Sequence, residues 1–567
     1  MSTTFDIVVR GGTVVDGSGA EPFEADVGMK DGRIAAVGPK LAGGEEEIEA
    51  KGRIVTPGFV DIHTHYDGHA TWAKRLEPSS SHGVTTVVMG NCGVGFAPCH
   101  PGDRGRLIRL MEGVEDIPEP VMTAGLPWTW ESFRDYLNYL EGREFDIDLA
   151  AQLPHAPLRV FVMGERAAAK APATEDDIAH MRAIAADAMR AGALGFSTSR
   201  TLNHRASDGE LTPSYAAASD ELTGIAQGLK DAGTGVLQLI SDFDDIEREF
   251  AIVRRMASTS GRPLSLSLMQ NPAVPTKWRE ILDRIEQANR DGLTVKAQVA
   301  GRPIGLIYGL STSRNPFTNC PSYQAIADLG VKDRAIAMRD TARRAAILAE
   351  YPGEGYALPF EMMYLMGDEP RYEPVPEESI ASEAARRGIH AKTHAYDLLS
   401  EDQGLALFYI PVMNYAGSSN TAMHTMLKHE HSILGLGDGG AHCAMICDAS
   451  MTTHMMIRWA RGGTGSGLSL ASVVHALTAS TATAVGLDRG LVAAGAKADL
   501  NVIDLDHLVL HRPKMVHDLP EGGGRLSQRA SGYDATIVSG RITYRQGEFT
   551  GNLPGRLVRS AHAKEPN

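Results

Sequence analysis

The spacing of apolar and polar residues changes rhythm twice along the chain. At the start, Phe5–Val9 and Thr13–Val15 read as short strands around Gly11-Gly12, and Ala25–Met29 leads through Asp31-Gly32 into Arg33–Val37. An Asp-Gly pair between β-prone runs predicts a tight hairpin, so residues 1–57 predict a small antiparallel sheet. Short apolar runs then alternate with helical stretches. The runs are Ile54–Ile62, Val84–Met89, Asp148–Leu153, Leu194–Ser197, Gly235–Ile240, Pro263–Leu268, Leu293–Val299 and Ser432–Leu436, with amphipathic segments such as Thr174–Ala191 and Asp220–Asp231 between them. Such alternation predicts right-handed βαβ units and a parallel sheet. Eight strands suit a closed (β/α)₈ barrel over residues 58–485 better than an open sheet, although pattern alone does not separate the two. From residue 486 the strand-and-turn texture returns in Ala498–Ile503, Ala535–Val538 and Arg541–Arg545. Both chain ends thus predict one small β domain beside an α/β barrel.

Composition narrows the function class. The 567 residues are 43% hydrophobic and 22% charged, as in a globular protein. A formal net charge of −15 argues against binding nucleic acid, which requires clustered Lys and Arg. Cys92, Cys99, Cys320, Cys443 and Cys447 are too few and odd in number for a disulfide framework. No apolar run reaches the length of a membrane span. The amino terminus lacks the pattern of a secretory signal, so a cytoplasmic location is expected.

Three strand ends carry candidate chemistry. In Pro57-Gly-Phe-Val-Asp-Ile-His63-Thr-His65 the two imidazoles share one side of an extended chain. They fall at the carboxyl end of the first barrel strand, where barrel enzymes place their sites. Imidazole is a common metal ligand, although two half-buried histidines at a strand end would give the same pattern. In Ser432-Ile-Leu-Gly-Leu-Gly-Asp438-Gly-Gly an apolar strand ends in a carboxylate between glycines. Asp438 there suits a metal ligand that also accepts a proton from water, or a helix cap. Cys92, in Val87-Val-Met-Gly-Asn91-Cys92-Gly93, is either a thiolate ligand or a small buried residue.

Together these segments resemble the amidohydrolase superfamily, in particular its D-aminoacylase (N-acyl-D-amino-acid deacylase) branch. The likeness extends to Asp6-Ile-Val-Val-Arg-Gly-Gly-Thr, Gly83-Val-Thr-Thr, Gly192–Ser197, Gly495-Ala-Lys-Ala-Asp499-Leu and Gly551-Asn-Leu-Pro-Gly-Arg-Leu. It implies a TIM-like barrel with a small β-sandwich built from both termini, and a metal-dependent hydrolase of amide C–N bonds. It implies His63, His65, Cys92 and Asp438 as metal ligands, with Asp438 also the general base. His155 matches a position near the family's site and is expected to steady the tetrahedral oxygen. Where the branch has histidines at the ends of strands five and six, this chain has Gln238 and Gln270 nearby and no histidine. One divalent ion, zinc by preference, is therefore expected instead of two.

Asp67 is expected to orient a ligand histidine. Arg200, Arg302, His394 and His442 are candidates for meeting an anionic substrate, against ordinary surface or loop roles. The partner expected is a small molecule, and the resemblance admits a homo-oligomer. Alternatives are a different amide, a cyclic amide or ester, a metal-dependent decarboxylase, or a relative that has lost catalysis.

Overall fold

A computed structural model describes residues 4–351, 358–462 and 467–560. Its centre is an eight-stranded all-parallel sheet. We label the strands β1 (Phe59–Asp61), β2 (Val84–Met89), β3 (Asp148–Pro154), β4 (Gly195–Arg200), β5 (Val236–Ser241), β6 (Leu264–Ser267), β7 (Val295–Val299) and β8 (Ser432–Leu434). They pair in sequence order. The seam between β8 and β1 is joined just past the strand ends, where Asp438 N–H donates to His63 O (3.0 Å) and His65 N–H donates to Gly439 O (2.8 Å). The sheet thereby closes as a barrel, and its closure unites residues far apart in sequence.

Helices link the strands as the amphipathic pattern predicts. Glu175–Arg190 follows β3, and a capping box starts it, with Thr174 and Asp177 satisfying each other's backbone N–H. Ser219–Ala232, Ile246–Ser260 and Lys277–Arg290 follow β4, β5 and β6. Outward side chains such as Met89, Phe196, Leu239 and Leu266 join the largest apolar core. Burial of each contributes roughly 1.5–3 kcal/mol.

The predicted run Ile54–Ile62 divides in two. Ile54–Pro57 belongs to the terminal sheet and Phe59–Asp61 to the barrel. The break falls at Gly58, where a Cβ would lie 2.1 Å from Thr85 Oγ1. The terminal strands form one nine-stranded sheet with an apolar core of its own, including Val9, Val27, Val502 and Ile537. It is mixed, not purely antiparallel as expected, because Phe5–Val14 pairs parallel with Gly44–Glu49. The Asp31-Gly32 hairpin forms as predicted, both residues at positive φ. The sheet is pinned to the end of the barrel away from the metal-type residues. Asp148, at the start of β3, binds Arg489 (2.9 Å) and Lys497 (3.0 Å).

The span between β7 and β8 is not a simple crossover. It holds a three-stranded sheet (Ile304–Gly309, Tyr364–Leu365, Leu407–Met413) and helices around a separate apolar core. No helix among the described residues is long and apolar enough to cross a membrane.

Candidate metal and active site

The carboxyl ends of the barrel strands surround a cavity of about 530 Å³, with His63, His65, Cys92 and Asp438 in its lining. His63 and His65 follow β1. Cys92 follows β2 at φ 54° and Asp438 follows β8 at φ 48°. A non-glycine residue held in this left-handed region costs about 1 kcal/mol or more, and backbone strain of this kind gathers at functional sites. Gly437 permits the Asp438 turn, because a Cβ there would sit 2.2 Å from Asp61 Oδ2.

Four ligand-type atoms converge. Asp438 Oδ1 lies 3.6 Å from both His63 Nε2 and His65 Nε2, and Cys92 Sγ lies 3.3 Å from His63 Nε2. One ligand atom from each of His63, His65 and Cys92 falls within 4.8 Å of the others. In a tetrahedral ion with bonds near 2.1 Å, adjacent ligand atoms are about 3.4 Å apart. The donor set therefore fits a divalent metal in both chemistry and spacing.

The surrounding shell fixes which ring nitrogen faces this point. Gln298 Oε1 can only accept, so the 2.7 Å contact puts a proton on His63 Nδ1 and leaves Nε2 with its lone pair. Glu115 Oε1 lies 3.2 Å from His65 Nδ1, outside hydrogen-bond geometry, so it acts on that ring through its charge. Gln238 Oε1 accepts from Cys92 N–H (3.1 Å) and Ser197 Oγ from Gly93 N–H (3.0 Å), which pins the Cys92 turn from β5 and β4.

Burial pulls the His63 imidazolium down to about 4. Burial presses in the same direction on His65, but Glu115 and Asp438 outweigh it and hold that ring well above its ordinary value. Asp438 is pushed up by burial, yet His65, His63 and His442 hold it well below the usual carboxylate range. Burial raises the Cys92 thiol to about 11 despite His65. A cation held deep among these groups would reverse the balance at the thiol, because metal binding deprotonates it.

Several other predicted residues lie elsewhere. His155 is buried outside the cavity lining, its Nδ1 on Thr198 Oγ1 (2.8 Å) and its Nε2 on Glu221 Oε1 (3.0 Å). With both ring nitrogens engaged, it has no atom free for an oxyanion. The carboxylate of Asp67 accepts from Gly90 N–H (3.1 Å) and so holds the β2 turn, not a histidine ring. Gln270 Oε1 accepts from Ala416 N–H (3.1 Å), away from the ligand atoms. Arg200 is locked to Glu249 (2.6 Å), Arg302 to Asp448 (2.7 Å) and His394 to Glu383 (3.0 Å). His442 does line the cavity, 3.6 Å from Glu115 Oε2.

Two cavity residues escaped the sequence reading. Glu115 ends helix Arg104–Glu115, and His204 lies beyond β4 with Nδ1 on Ser199 Oγ (2.8 Å). Glu115 did leave a trace, a carboxylate at the i, i+3, i+7 spacing of buried Ile108 and Met111. His204 left none.

Comparison with known proteins agrees with this architecture. D-aminoacylase of Alcaligenes xylosoxydans xylosoxydans is 36% identical over 198 residues, 35% of this chain and 38% of that protein. The N-acyl-D-glutamate deacylase of the same organism is 28% identical over 99% of this chain and 97% of its own. A solved D-aminoacylase described as having a binuclear metal centre superposes with TM-score 0.66 at 24% identity, covering 98% of this chain and 100% of its own. N-acyl-D-glutamate deacylase from Bordetella bronchiseptica, solved with zinc and a phosphonate mimic of the tetrahedral intermediate, gives TM-score 0.65 at 24% identity over the same shares. The Amidohydrolase family model matches residues 46–544, and the chain belongs to that family.

Proposed function

We propose that this metal-dependent hydrolase of carbon–nitrogen bonds cleaves the amide of an N-acylated amine or amino acid, using one zinc ion held by His63, His65, Cys92 and Asp438. The carrying observation is the position of Asp438 Oδ1, 3.6 Å from both ligand-facing imidazole nitrogens. Relatives named for N-acyl-D-amino acids support the reaction type. The single ion follows from the absence of histidine at the ends of β5 and β6.

The ion, when bound, would lower the pKa of a water and polarise the substrate carbonyl. The remaining roles fall to the chain. Asp438 accepts the proton of the attacking water and passes one to the departing nitrogen. Gln298 keeps His63 in the ligating tautomer, and Glu115 sets its charge beside His65 Nδ1. His204 and His442 replace His155 as the imidazoles that border the substrate space. The five free cysteines fit the reducing cytoplasm.

The test is hydrolysis of a panel of N-acylated D- and L-amino acids and amines by zinc-loaded and chelator-stripped protein. Stripping should abolish turnover and zinc should restore it, while Asp438→Asn should lower kcat by at least about 100-fold. Turnover indifferent to stripping would contradict the proposal.

A further inference from the structure

We infer that the substrate is a neutral amide with an apolar body, and that a free carboxylate beside the scissile bond is selected against. This rests on the amide-hydrolase reading of the site and adds the chemical class of what enters it.

The observation is the charge of the cavity beyond the ligand atoms. Its lining pairs an apolar wall, including Ile240, Phe243, Leu268, Trp278, Ile281 and Met413, with uncharged polar groups such as Asn203, Ser241 and Asn271. Among the described lining residues Lys277 is the one lysine or arginine. Its ammonium already donates to Asp242 O (3.1 Å) and faces Asp244 Oδ1 (3.4 Å). The Asp242 carboxylate stands in the same wall, held by Thr201 Oγ1 (2.5 Å) and Leu202 N–H (2.7 Å). Arg200, next in sequence to the lining residue Thr201, is turned away. Its Nε and Nη2 reach the Glu249 carboxylate at 2.6 and 2.8 Å, and its Nη1 reaches Ala217 O at 2.7 Å.

Away from the ion and from His204 and His442, a carboxylate entering here would lose its water among apolar side chains, meet the Asp242 carboxylate, and find one ammonium already shared between two oxygens. Burying a charge without a partner is strongly unfavourable. A neutral acyl amide loses nothing comparable and gains from the apolar wall. Specificity of this kind comes from repelling the wrong ligand as much as from holding the right one.

The experiment compares matched pairs on the zinc-loaded full chain: N-acetyl-D-phenylalanine against N-acetyl-D-phenylalaninamide, the L pair alongside, and N-acetyl-2-phenylethylamine as the member without either group. The expected result is a kcat/KM for release of acetate at least tenfold higher for the neutral compounds than for the carboxylate. Equal or higher values for the carboxylate overturn the inference and leave the amide-hydrolase reading standing. In that case K277M should erase the carboxylate's advantage and so identify Lys277 as its anchor. Turnover of no member of the panel, by protein shown to hold zinc, sinks both readings together.

Discussion

Glu115 Oε1 lies 3.2 Å from His65 Nδ1, at the end of a helix that begins eleven residues earlier at Arg104. The carboxylate is buried, and its second oxygen lies 3.6 Å from His442 Nε2. One acid therefore steadies two imidazoles, one among the ligand atoms and one on the cavity wall. Removing an outer partner of a metal-bound histidine typically costs 10–100-fold in metal affinity. Glu115→Ala should weaken zinc binding by about that factor, and Glu115→Gln, which keeps the side chain's volume and polarity, by less. Competition with a chromophoric chelator measures both, and unchanged affinity in Glu115→Ala would remove Glu115 from the site.

His155 should matter for stability and not for chemistry. Its partner Glu221 also takes Arg159 Nε at 2.8 Å on the same oxygen, so the three form a buried network. Glu221→Ala would strand the Arg159 cation in the interior, at a cost of about 3–5 kcal/mol. His155→Gln should cost about 1–3 kcal/mol, the penalty for buried groups left unpaired. Urea unfolding reads the stability, and kcat per zinc-loaded molecule reads the chemistry. A kcat lowered 100-fold in His155→Gln would restore the catalytic role expected from the sequence.

His82 provides a pH test away from the cavity. It is buried between Thr453 Oγ1 (2.8 Å) and Gln528 O (2.9 Å), and burial depresses its pKa to about 4. Between 6.5 and 4 the unfolded chain therefore carries a proton on this ring that the folded chain lacks. The stabilisation is complete above 6.5 and is lost as pH falls. The stability advantage of the wild type over His82→Gln should narrow by about 2 kcal/mol between pH 7 and pH 5. Paired denaturant melts measure it, and a constant or widening difference would contradict this reading. Asp61 and Asp67, which burial raises to about 7, pull the other way. They are common to both proteins and cancel in the difference.

What the sequence disclosed follows the range of the interactions involved. That His63, His65, Cys92 and Asp438 meet at one cavity was legible because each sits at the end of an apolar run, and strand geometry fixes where such ends point. Glu115 and His204 reach the cavity through a helix and a long connection, and only the folded path of those segments brings them in. His155 misled for the converse reason. It follows β3 closely, but its ring turns into the Thr198–Glu221 network, which no local pattern foretells. The strand at residues 54–62 had the right character and the wrong extent, since the break at Gly58 is set by Thr85 on a neighbouring strand. The sheet inserted between β7 and β8 was missed because its strands are continuous with the alternating texture around them.

The account depends on one ion bound by two imidazoles, a thiolate and a carboxylate. X-ray absorption at the zinc edge of protein loaded with one equivalent tests that set most directly. The account predicts one sulfur neighbour at about 2.3 Å and nitrogen or oxygen neighbours at about 2.0–2.2 Å including two imidazoles, with the sulfur lost in Cys92→Ala. Zinc neighbours that lack sulfur or lack imidazole, or a protein that holds no zinc, would contradict it.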